Sequence, residues 1–198
     1  MLQQTQVSRV IPYFERFLQR FPTVEILAAT NWEEFLPFYQ GLGYYARGRN
    51  MLRAARLVVE SFGGIFPSTL AELRTLPGVG PYTAAAILSF GSGYPHLAFD
   101  TNHQRVWGRV LYGSRTIPVT AAKVEALLPT TLDYRDFNAA VMDLAAAVCT
   151  NRTPRCAACP LQSHCWYFSE GGTAEPTVTA QRNTFPTSQA QTILVLHE

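Results

Sequence analysis

Residues 73–88 read LRTLPGVGPYTAAAIL, two helical patterns interrupted by Pro77, Gly78, Val79, Gly80 and Pro81. Glycine tolerates sharp backbone turns and lets the chain come close to a ligand. The second helix then opens with unpaired N–H groups facing outward, which suits a phosphate. On that reading the segment is a helix–hairpin–helix whose Gly78, Val79 and Gly80 grip a DNA backbone. The same residues equally suit a plain tight turn between two packed helices.

Outward from this hairpin the pattern stays helical. Apolar residues recur with helical spacing over roughly 3–21, 31–39, 46–62, 68–75, 81–91, 101–112, 119–128 and 133–148. Breaks fall at Phe21-Pro22, Gly63-Gly64, Pro67-Ser68, Pro77-Gly78 and Pro129. Pro12 inside the first segment predicts a kink. Nothing up to residue 168 alternates like a sheet, so the fold class is all-α, a single domain over 1–168. Residues 169–189 are rich in Gly, Pro, Ser and Thr and read as a linker. Residues 190–198 end in QTILVLHE, read as the first strand of a further C-terminal domain or as a strand docking back on the helices.

The chain has 198 residues, enough for a real core, and 47% hydrophobic with 15% charged residues is ordinary for a globular protein. A net charge of +2 makes no case for nucleic-acid binding by itself. Lys123 is the single lysine, the other basic residues being arginine. No apolar run reaches the roughly 18–20 residues a membrane span needs, so no membrane partner is expected.

All four cysteines sit in one stretch, Cys149-x6-Cys156-x2-Cys159-x5-Cys165. Such clustering argues for one metal site in a reducing compartment rather than a disulfide framework. A four-cysteine set suits tetrahedral zinc or an iron–sulfur cluster. Only Cys156 and Cys159 form the close pair usual for zinc, while the wider gaps can wrap a larger cluster. Spacing alone leaves both open. Asp100, about twenty residues after the hairpin, stands where a helix should begin, as a plain N-cap or as an anion held by helix N–H groups.

Together the hairpin, the aspartate and the cysteine spacing resemble the iron–sulfur DNA glycosylases related to endonuclease III. Within them MLQQTQV, GLGYYARGRN, LPGVGPYTAAAI, FDTNHQRVWGRV and FNAAVMDLAAAVCT look like MutY-type adenine DNA glycosylases, over residues 1 to about 168. The resemblance implies one 4Fe-4S cluster on the four cysteines, with zinc as the alternative. It implies Asp100 as the catalytic aspartate that stabilises positive charge on the sugar, with Asn102 helping to hold the site. Position 82 carries a lysine in members that also cut the strand; here it is Tyr82, whose phenol cannot form a Schiff base. A monofunctional enzyme is therefore expected, hydrolysing the N-glycosidic bond of adenine mispaired with 8-oxoguanine or guanine.

By the same match Tyr44 wedges beside the lesion base, Leu42 lies near it, and Gln4, on the first helix, inserts into the duplex. Arg49, Arg53 and Arg56 share a helical face and, with Arg47, are expected near phosphates or as a solvated face. Tyr45 is read as core and His103 as a surface residue; His164, beside Cys165, is a candidate to tune the cluster. The expected partner is double-stranded DNA containing adenine mismatches, bound by a monomer in a bacterial-type cytoplasm, on the nucleoid.

One feature of the family has no counterpart here. The glutamate that protonates adenine N7 lies two residues before the methionine of MLQQT, and that methionine is Met1. Glu15, Glu33, Glu34 and Asp143 do not match its place. The chain is therefore expected to be a fragment truncated at both ends that binds DNA weakly and excises adenine poorly. A thymine-mismatch glycosylase, endonuclease III itself and a non-catalytic iron–sulfur DNA-binding module are the competing readings.

Overall fold

A computed structural model of the chain describes residues 1–3 and 5–171. They are helical, with no strand among the described residues, and divide into two compact units, the second beginning at Ala85. The linker from residue 172 onward and the expected strand at 190–198 lie outside the described residues, as does Gln4.

In the first unit α1 spans Val7–Arg20, α2 Val24–Ala29, α3 Trp32–Phe35 with a 3-10 turn at Leu36–Phe38, α4 Tyr45–Phe62 and α5 Leu70–Leu73. The first helix starts at Val7, not near residue 3. Gln6 is extended (φ −66°, ψ 144°), and the Arg47 side chain holds the Gln3 carbonyl and the Thr5 hydroxyl. Tertiary bonds replace the helical ladder there. Helix α1 runs through Pro12 and ends at Arg20, a basic residue suited to the negative helix end. The α2 helix went unread in the periodicity, although Thr23 caps it by accepting from Ile26 N–H at 3.4 Å. A capping box between Asn31 and Glu34 starts α3.

The apolar side of this unit is mostly aromatic. Phe17, Phe21, Phe35 and Tyr39 form a continuous cluster of stacked, tilted and edge-on rings with centres 5.0–6.1 Å apart, closed by Val10, Leu42 and Leu52. Helix α4 approaches it through Gly48, where a Cβ would lie 3.0 Å from Phe35 and 3.2 Å from Tyr39. Tyr45, read as core, is instead exposed and meets Trp32 edge-on at 6.4 Å. It is the first residue of α4, beyond the buried side of the helix.

Helix α6 covers Pro81–Ala86 and passes into a π-turn at Ile87–Gly91. The second unit then holds α7 (Thr101–Tyr112), α8 (Ala121–Glu125), α9 (Tyr134–Ala147), 3-10 turns at Cys156–Ala158 and Gln162–His164, and α10 (Trp166–Ser169). Its core joins Val106, Trp107 and Val110 of α7 to Phe137, Val141 and Ala145 of α9, with Leu97, Val124 and Leu161. Among the described residues no helix is long and apolar enough to cross a membrane.

Candidate functional site

Asp100 ends an extended segment and caps α7. Its Oδ1 accepts from Asn102 N–H and His103 N–H, each at 2.9 Å, and lies 3.1 Å from His103 Nδ1. Its Oδ2 accepts from Asn102 Nδ2 at 2.8 Å. Partial burial works against the charge. The hydrogen bonds from the His103 side chain and backbone and from the Asn102 backbone outweigh it and hold the carboxyl below its ordinary value. Asn102, expected to help hold the aspartate, contacts it directly. His103 is not a surface residue: it is 0% exposed because it lies on the inward face of α7, its ring 5.7 Å from that of Phe99.

A second clamp fixes the segment leading into Asp100. Asn138 of α9, fully buried, accepts from Ala98 N–H at 3.0 Å and donates to the His96 carbonyl and to Ser89 Oγ, each at 2.9 Å. One side-chain amide thereby ties the π-turn, the irregular segment leading to Asp100 and α9 together, two residues from the carboxylate. Nothing in the local sequence marks Asn138 for this; it lies within the FNAAV motif, and its partners are 40 to 49 residues away.

The four cysteines follow α9 and line one opening of about 380 Å³ of empty volume, with Val106, Arg109 and Leu161 among its walls. Burial pushes the Cys159 and Cys165 thiols up, and neighbouring thiols add to the shift in both. Among the described residues no three His, Cys, Asp or Glu side chains are grouped to hold a single metal ion. Arginines missed in the sequence organise this segment. Arg109, buried, donates to Cys149 Sγ at 3.3 Å and to the Thr150 and Asn151 carbonyls at 2.7 and 2.9 Å. One turn earlier, Arg105 donates to the Cys149 and Ala145 carbonyls at 2.9 and 3.0 Å. Their spacing of four along α7 was the available signal. His164 is half-buried in the turn before Cys165.

In the first unit the hairpin is exposed at Gly78 and Gly80, with Val79 half-buried. Gly78 has φ +81°, and a Cβ there would press on Asn50 at 2.9 Å, so the turn demands glycine twice over. Leu73 and Leu76, on its near side, are buried. Tyr82 is one residue into α6 and partly exposed.

Tyr44 is the only non-glycine residue with positive φ among those described (φ 47°, ψ 58°), and it is 54% exposed. A bulky side chain in the left-handed region is strained, and such strain concentrates at functional positions. Arg47, expected near phosphates, is corrected to an interior strut. It is 4% exposed; its guanidinium donates to the Tyr39 hydroxyl, the Gln3 carbonyl, Thr5 Oγ1 and the Gly43 carbonyl, and lies 5.9 Å from the Tyr44 ring. Leu42, expected beside the base, is buried in the aromatic core and offers little surface. Arg49 covers Trp32 at 4.6 Å, Arg53 donates to Asn50 Oδ1 at 2.7 Å, and Arg56 donates to the Ala28 and Thr30 carbonyls at 3.2 and 3.0 Å. These three remain exposed.

Residues 1–131 match the family model described as HhH-GPD superfamily base excision DNA repair protein. The chain belongs to this superfamily. An adenine DNA glycosylase of Buchnera aphidicola subsp. Baizongia pistaciae is 40% identical over 172 residues, 83% of this chain and 48% of that protein. An adenine DNA glycosylase of Homo sapiens is 42% identical over 171 residues, 83% of this chain and 31% of its own length. The solved structure of a thermostable thymine-DNA glycosylase superposes with a TM-score of 0.75 at 28% identity, covering 85% of this chain and 80% of that one. The chain thus spans about half or less of the length of these two curated relatives.

Proposed function

We propose that the protein is a monofunctional DNA glycosylase that removes adenine mispaired with 8-oxoguanine or guanine from double-stranded DNA, acting as a monomer. The observation that carries this reading is Asp100, a carboxylate held as an anion by four hydrogen bonds at the start of α7. As the bond between adenine N9 and sugar C1′ breaks, its electron pair leaves with the base and positive charge grows on the sugar. A fixed carboxylate stabilises that charge, and such preorganised electrostatics supply a large share of enzymatic rate. Water then adds to C1′ and loses a proton, leaving an abasic site. A proton on adenine N7 eases the departure of the base.

With Tyr82 at the lyase position and the single lysine at 123 on α8, no Schiff base forms and the strand stays whole. The exposed hairpin of Gly78, Val79 and Gly80 contacts the backbone, and Tyr44 contacts the disturbed base pair, which must open for the adenine to be extruded. Cys149, Cys156, Cys159 and Cys165 would hold a 4Fe-4S cluster, which when bound would staple residues 149–165 through metal–thiolate bonding. The donation of Arg109 to Cys149 Sγ suits an anionic thiolate set.

The test is single-turnover base release from duplexes bearing adenine opposite 8-oxoguanine, using the chain as written and the chain with a glutamate placed two residues before Met1. Adenine release that rises sharply with the added glutamate supports the reading. Release of thymine from G·T duplexes but not of adenine overturns it in favour of a thymine-mismatch enzyme. DNA binding with no excision in either form overturns it in favour of a binding module. Iron and zinc analysis of the purified protein decides the metal.

A further inference from the structure

The two oxygens of Asp100 are not equivalent, and His103 makes the difference. Oδ1 takes three donors, the N–H groups of Asn102 and His103 and the His103 ring nitrogen. Oδ2 takes one, from Asn102 Nδ2. An ionised carboxylate only accepts hydrogen bonds, so the ring nitrogen facing Oδ1 has to be the donor, Nδ1–H. His103 Nε2 is buried with no hydrogen-bond partner. A packing role alone would be better met by an aliphatic side chain, which fills the space without an unpaired polar atom.

We propose that His103 is a positioning residue for base excision: its Nδ1–H fixes Oδ1 of Asp100 as the anchoring oxygen and leaves Oδ2 as the atom presented to the sugar carbon. This rests on the assignment of Asp100 as the charge-stabilising group. Beyond the hydrogen bonds from His103 and Asn102, Arg105 of the same helix acts on Asp100 through its charge, its guanidinium committed to the Ala145 and Cys149 carbonyls. Arg105 sets a background field, while His103 sets direction. The ring also supports the ionised form of the aspartate, so its removal should raise the pH at which activity fails on acidification.

The experiment compares D100N, H103L and H103N in the full chain carrying the added glutamate, by single-turnover excision across pH and by DNA affinity, with side-chain 15N NMR of the histidines in the unmodified protein. The asparagine amide can replace the Nδ1–H donor, and leucine cannot. Expected are a loss of excision in H103L of about 10- to 100-fold with DNA affinity unchanged, an acid limb moved to higher pH, and recovery to within about threefold in H103N, as for loss and return of a hydrogen bond to a charged group. An H103L rate and acid limb equal to those of the unmodified chain overturn the proposal, as does H103N behaving like H103L. The NMR arm stands even where H103L fails to fold. A His103 ring protonated at Nδ1 and perturbed by D100N supports the proposal, and an Nε2–H tautomer overturns it. If D100N itself leaves excision unchanged, the assignment of Asp100 fails rather than the role of His103.

Discussion

Tyr44 and Asp100 occupy the same station, the residue just before a long helix, and meet opposite physical demands there. Asp100 is extended and satisfies the first N–H groups of α7 with its own carboxylate. Tyr44 is left-handed, makes no side-chain cap for α4, and directs a large ring into solvent. One cap stabilises its helix; the other strains it. Under the proposed function the contrast matches two tasks: a charge that must already be in place before reaction, and a surface that must enter an opened base pair. Rigidity serves the first, and an exposed, locally strained aromatic on a firm base serves the second. Arg47 supplies that base from beneath, bonded to residues on both flanks of the loop.

Breaking the rigid cap should have the largest effect. D100N keeps the shape of the side chain but loses its charge, and excision should fall by about 10²–10³-fold or more, the scale for losing one preorganised electrostatic group; single-turnover assays check it. N138L, remote from the reacting atoms, should lower stability by roughly 2–3 kcal/mol, because buried Ala98 N–H and the His96 carbonyl lose their partner. Denaturant melts measure this, and a change under 0.5 kcal/mol would mean that the clamp is not tight.

Relaxing the strained cap should act in the opposite direction. Y44N places a residue tolerant of the left-handed region there and should raise stability by about 1 kcal/mol, while weakening binding to mismatched duplex. If both stability and binding fall, Tyr44 is a packing residue and the contrast with Asp100 fails. Smallest is the pH effect on the fold. The carboxyl of Asp100 sits below its ordinary value, so its contribution is fully present above the unfolded value of about 3.9 and is lost as pH falls through the lower folded value. The melting-temperature gap between the unmodified chain and D100N should therefore shrink below about pH 4.

Much of the site was legible because it rests on local rules. The Pro-Gly-Val-Gly-Pro hairpin, the capping position of Asp100 and the Cys149–Cys165 spacing are short-range patterns, and each is found where the sequence put it. Helix α2 was missed because six residues are too few to establish a period, though Pro22 and Thr23 marked its start. The start of α1 was misplaced because apolar spacing continues to Leu2, while Arg47 instead holds the Gln3 carbonyl and the Thr5 hydroxyl. The arginines were the hardest to read. A guanidinium suits phosphate and buried carbonyl alike, and nothing in GLGYYARGRN separates the interior Arg47 from the exposed Arg49.

The sequence by itself determined the helical build of the described residues, the hairpin, the aspartate and the group of thiols, since helical period, turn chemistry and ligand spacing act over a few residues. Tertiary structure alone decided that Arg47 and Leu42 face inward and that Asn138 holds the approach to Asp100. Those outcomes depend on which distant side chains share a buried space. Burial leads most polar groups to find a partner, and that partner can lie forty residues away.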